Sequence, residues 1–297
     1  MGTFGKFKQT LDWDVETCYA IVGGNILSQE EIESGTQPQN TSGNELVDYK
    51  VIVHSETKRP LHVCKVSYQP TKNSDFMNFV QELSQLTGAP VEGYVEFRDG
   101  EIVLAYLKEE NTFLGGYETE NYIVVGNSHN GTKPLFIGHC NHMIRCTNQF
   151  GTITQESSVY HTKSQKARMA VVLEAFEKYK TQKEAFEKNM TLLASIKLTD
   201  EDITELTSKL LKLDAKKKKD SGVFHGKTMS IIDAVNDSVR HEINELGSTL
   251  FGWFNGITYY TSNSKKTKNP IFGNLFGSNK TMNDDALQIA LDFANSK

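Results

Sequence analysis

The residues best equipped for chemistry gather in two stretches. The first, Ser248 to Lys280 (STLFGWFNGITYYTSNSKKTKNPIFGNLFGSNK), contains no Asp or Glu, four lysines and seven aromatic residues. Carboxylates would repel a phosphate backbone, ammonium groups neutralise it, and aromatic faces stack on exposed bases, a contact worth about 1–3 kcal/mol per base. That combination points to single-stranded DNA. Lys265, Lys266, Lys268 and Lys280 are the phosphate contacts it implies, with Trp253, Tyr259 and Tyr260 as stacking faces and Arg145 as a further cation from the preceding β region. The competing reading makes the rings core and the lysines loop decoration.

The second stretch holds His129, His139, Cys140, His142 and Cys146. Their side chains suit zinc, but Cys140 and Cys146 lack the short paired spacing of a structural site and no second cysteine pair exists elsewhere. On an extended strand His139 and His142 would point to opposite faces, so structural histidines and buried thiols are expected, with no metal. Gly273 to Lys280 has glycines and a lysine in suggestive order yet lacks the Gly-Lys-Ser/Thr adjacency of a phosphate loop. No catalytic residue and no cofactor follow from the sequence, and the expectation is a binding protein and not an enzyme.

The 297 residues carry a net charge of −5, unevenly spread. Residues 1–150 hold 11 Lys and Arg against 19 Asp and Glu, a net of −8, whereas residues 151–297 hold 21 against 18, a net of +3. A polyanion would therefore meet the C-terminal half. Four scattered cysteines make no disulfide framework, the opening MGTFGKFKQTLDW lacks the apolar core of a signal peptide, and no apolar run approaches the roughly 20 residues that span a bilayer. A cytoplasmic protein without a membrane partner is expected.

Positioning these residues falls to an α+β chain. Residues 1–45 read as an N-terminal extension with a polar loop, SGTQPQNTSGNE. Residues 46–150 read as an antiparallel β-rich domain of about six strands. One helix, Asn73 to Leu86, is inserted between the second and third, with Phe76, Phe79, Val80 and Leu83 on one face. Asp99-Gly100 predicts a two-residue hairpin turn. Tyr122 to Phe150 forms the organising unit, closed by Asn130-Gly131. In its second strand Cys140 and His142 share a mostly core-like face, while His139, Asn141, Met143 and Arg145 share a polar one. Residues 151–297 read as a helical region: a long helix over 163–197, a second capped by Thr199 and running to about Leu213, a third over 229–246 and a last over 283–295.

Several motifs together resemble a family of phage/plasmid-like proteins, a domain of unknown function found in phages, plasmids and bacteria. They are Val66-Ser-Tyr68-Gln-Pro70-Thr-Lys-Asn73 with Phe76 and Phe79; Asn127-Ser-His129-Asn-Gly131; Met143-Ile-Arg145-Cys146-Thr-Asn148; Trp253-Phe-Asn255-Gly-Ile-Thr258-Tyr-Tyr260; and Leu275-Phe-Gly277. The resemblance covers residues 45–290, implies a mobile-element origin and supplies no catalytic residues. A strand meander followed by a long helix is also similar to annealing proteins of the Rad52 type, an analogy of fold alone. The leading expectation is a homo-oligomeric phage or plasmid protein that binds single-stranded DNA and anneals it in replication or recombination. The alternative is an interaction module for a host or phage protein, such as a defence inhibitor. Its cue is a long helical region with more amphipathic length than the sheet requires.

Overall fold

The computed structural model describes residues 7–22, 44–133, 135–143, 149–159, 165–213, 226–265 and 270–297. Among the described residues, nine strands form two antiparallel sheets. In the smaller, β1 (Val15–Val22), β2 (Asn44–His54) and β3 (Pro60–Lys65) lie in that order. The larger runs β4 (Val91–Phe97), β5 (Ile102–Lys108), β7 (Tyr117–Ser128), β8 (Leu135–Met143), β9 (Gln149–Val159), with the short β6 (Thr112–Leu114) paired to β7. Three of these strands escape the sequence reading. β1 lies within the expected N-terminal extension yet pairs with β2, β6 is three residues long, and β9 is a polar strand extending beyond the expected boundary at residue 150.

Helix α1 (Asn73–Thr87) covers one face of the large sheet through Phe76, Val80 and Leu83, which join Val103, Ala105, Leu107, Ile123, Val125 and Ile137 in one core. Their alternating neighbours Ile102, Leu104, Tyr106, Tyr122, Val124, Phe136 and Cys140 form a second core on the opposite face. Strands buried on both faces carry near-continuous apolar runs, and IVLAYLK in β5 is one. This burial corrects the expectation of a polar face on β8. His139 and Asn141 lie on the side away from Cys140 but are themselves buried, 6% and 4% exposed. Arg145 and Cys146, expected to extend that strand, lie outside the described residues.

The connection between β4 and β5 is longer than the expected two-residue turn, because Arg98 to Glu101 all lie between the paired Phe97 and Ile102. Arg98, Asp99 and Gly100 take φ of 52°, 54° and 91°, and the Glu101 N–H reaches the Arg98 carbonyl at 3.4 Å. Asn130-Gly131 does not close as tightly, because six residues separate β7 from β8. Among them Gly131 takes φ 69°, while the Asn130 side-chain oxygen accepts from the Ser128 and Thr132 hydroxyls at 2.6 Å each.

The helical region follows as α2 (Gln165–Ser195), α3 (Asp200–Leu211), α4 (Gly226–Leu246), α5 (Leu250–Tyr259), a π-helical turn (Tyr260–Ser264), α6 (Pro270–Phe276) and α7 (Ser278–Ser296). Helix α2 is about 47 Å long at 1.5 Å per residue. Phe176 and Tyr179 join the core shared with α1, whereas Met190 and Leu193 join a third core built by α3, α4, α5 and α7. From Phe176 to Leu193 the helix thus reaches from one core to the other. Among the described residues, no helix is long and apolar enough to cross a membrane.

Candidate nucleic-acid interface

The acid-free segment begins as α5, LFGWFNGITY, in which every residue from Leu250 to Thr258 is buried. A helix apolar all round must be surrounded, and here the glycines let a neighbouring helix close on it: a Cβ at Gly256 would lie 2.4 Å from the Val239 Cα on α4. Trp253 is 0% exposed, and its ring N–H donates to the Thr207 hydroxyl at 3.1 Å. Tyr260 is buried as well, and burial raises its phenol pKa. Neither ring presents a face to a base, which corrects that part of the expectation; both are needed where the helices meet. Tyr259 is half-buried, 4.8 Å from the His241 ring on α4.

Beyond Tyr259 the backbone widens into the π turn, closed by the Lys265 N–H on the Tyr260 carbonyl at 2.8 Å. Such turns often mark functional sites. Three buried asparagines dock α6 and α7 on it. Asn279 donates to the Thr261 carbonyl at 2.8 Å, Asn283 accepts from the Thr261 hydroxyl at 2.9 Å, and Asn274 donates to the Ser262 hydroxyl at 3.1 Å. This lock holds the end of the π turn against the start of α7, so the Lys265 ammonium reaches the Ser278 hydroxyl at 3.1 Å. Lys265 is half-buried, and loss of water lowers its pKa, the signature of a cation without full solvation.

Lys280 stands in the first turn of α7 and pairs with Asp284 one turn on. Phe276, at the end of α6, packs edge-to-face on Phe136 of β8 with centroids 5.3 Å apart. The Lys133 ammonium, from the β7–β8 connection, lies 5.7 Å from the Phe276 centroid. Phe276 and Ser278 flank Gly277, so Lys133, Lys265 and Lys280 surround the α6–α7 joint from three separate parts of the chain. The fold thus brings together two of the expected lysines, Lys265 and Lys280, and adds Lys133. Lys266, Lys268 and Arg145 lie outside the described residues. No sequence signal singles out Lys133, because its partner ring lies 143 positions later. In the sequence Phe276 stands out only as one of the segment's aromatics and as part of the motif Leu275-Phe-Gly277.

The histidines and thiols have other neighbours. His139 packs against the edges of Tyr179 and Phe186 at 5.7 and 6.2 Å, and burial, reinforced by Lys183, pulls its pKa down to about 3. Cys140 belongs to the opposite core, where burial pushes its thiol up to about 12. His129 pairs with the Asn73 side chain at 2.8 Å, and Asn127 donates to the Thr71 carbonyl at 3.1 Å, so two sequence motifs meet in a buried lock. Among the described residues, no three His, Cys, Asp or Glu side chains are grouped to hold a metal ion.

Compared with known proteins, residues 60–285 match the profile of a family described as Domain of unknown function (DUF932). No curated protein and no solved structure matches the chain.

Proposed function

Since this chain belongs to the DUF932 family, whose description assigns no activity, we propose from its own geometry that it binds single-stranded DNA at the α6–α7 joint. One observation carries this reading: at the α6–α7 joint the Lys133 ammonium lies over the half-buried Phe276 ring and the Lys265 ammonium meets the Ser278 hydroxyl, with Lys280, paired to Asp284, two residues further on. Each lysine contributes a phosphate contact, and Lys265 regains from an anion what it loses by partial burial. Annealing of complementary strands, assembly of several copies along one strand and service to a phage or plasmid are extensions of the same reading.

The test is fluorescence anisotropy of a labelled oligothymidylate titrated with the full chain. Single-strand affinity falls with log salt at about −0.7 per neutralised phosphate, so three contacts give a slope near −2. Exchanging Lys133 and Lys265 together for Ala flattens the slope by about 1.4 and leaves the melting temperature nearly unchanged. Absence of a complex at 50 mM salt removes the proposal.

A further inference from the structure

The site holds one ring in a position that none of the stacking candidates on α5 reaches. Phe276 ends α6 half-buried, braced edge-to-face by Phe136, so its orientation is fixed by the sheet and not by a flexible loop. A cation lies over the same ring: the Lys133 ammonium is 5.7 Å from its centroid. Gly277 follows directly, and after it come the Ser278 hydroxyl that receives Lys265 and the first turn of α7 with Lys280. A braced π face with an ammonium group over it offers the two kinds of contact that a nucleotide calls for, one for the base and one for the phosphate.

We infer that Phe276 is the base-stacking residue of this site, with Lys133 moving from the ring face to the adjoining phosphate when a base arrives. The inference rests on the nucleic-acid reading above and narrows it. A ligand that offers only charge, such as a duplex with its bases paired inside or a polyphosphate, leaves the ring unused. An unpaired strand fills both parts of the site. Trp253 and Tyr260 are excluded from this role by their burial.

The experiment compares two labelled strands of equal length on the full chain: oligothymidylate and the abasic deoxyribose-phosphate polymer. Stacking of one base at Phe276 makes oligothymidylate bind about 5- to 150-fold tighter. Phe276→Leu retains an apolar side chain but removes the π face, so it brings the two affinities together. Phe276→Tyr preserves the preference. Equal binding of both strands by the unaltered protein overturns the inference without touching the charge-based reading, and so does a Phe276→Leu protein that keeps the original ratio. Failure to bind either strand at 50 mM salt overturns the nucleic-acid reading itself and the stacking role with it.

Discussion

Folding lowers the proton affinity of His139, which faces Tyr179, Phe186 and Lys183, with Glu109 holding the last of these at 3.0 Å. Free imidazole takes up a proton near pH 6.5, while the folded one resists until about 3. Between those values the unfolded chain binds more protons, so stability is complete above pH 6.5 and falls as the pH drops through this window, by about 1.4 kcal/mol per unit. Urea titrations at pH 7 and 5.5 should therefore separate by about 1–2 kcal/mol, and His139→Leu should reduce the difference. Trp253 makes the opposite kind of statement. Trp253→Phe strands the buried Thr207 hydroxyl and should cost about 1–3 kcal/mol in a denaturant titration, with no change in the salt slope of DNA binding. A stacking tryptophan would give the reverse.

At the scale of elements, two helix starts show how far capping can travel. Helix α3 begins with a local capping box, in which the Thr199 hydroxyl accepts from the Asp202 N–H while the Asp202 carboxylate accepts from the Thr199 N–H. Everything needed stands within four residues, so this start is readable in the sequence. Helix α1 begins at Asn73 after Lys72, which offers no side-chain cap. The cap is supplied by Asp14, whose carboxylate accepts from the Asn73 N–H at 2.7 Å and from the Ser74 hydroxyl at 2.8 Å. Asp14→Ala should cost about 1–2 kcal/mol by urea titration, and Asp14→Asn clearly less. Helices α4 and α5 depend on close approach instead. Gly256→Ala drives a methyl into the Val239 backbone, and a loss of about 3 kcal/mol or more is expected from the melting curve.

For the whole molecule, residues ahead of the family match are part of the domain they precede. Trp13 stacks on His54 at 4.0 Å, meets His129 edge-on at 5.5 Å and donates its ring N–H to Glu96 at 3.0 Å. Its carbonyl accepts from Asn73 at 3.0 Å, and Gly100 must lack a Cβ because that atom would lie 2.6 Å from the ring. A chain starting at residue 60 loses this ring, the Asp14 cap and two strands of the small sheet. It should show no cooperative thermal transition by circular dichroism, whereas the full chain shows one. If the shortened chain melts cooperatively near the full chain's temperature, the N-terminal part is an appendage after all.

The sequence by itself determined the α+β class, the helix from Asn73 inserted among the strands (expected after the second, found after the third because β1 escapes that reading), a hairpin connection at Asp99-Gly100, the cap at Thr199 and the approximate span of the long helix. Each rests on periodicity, capping or turn chemistry acting over a few residues. Only the tertiary structure decided which rings of the acid-free segment face inward, that Lys133 joins Lys265 and Lys280, and that Asp14 starts a helix 59 positions away. Burial and charge convergence are set by contacts between distant parts of the chain. An apolar ring has the same local pattern whether it fills a core or waits for a base, and only the neighbours that cover it tell the two apart.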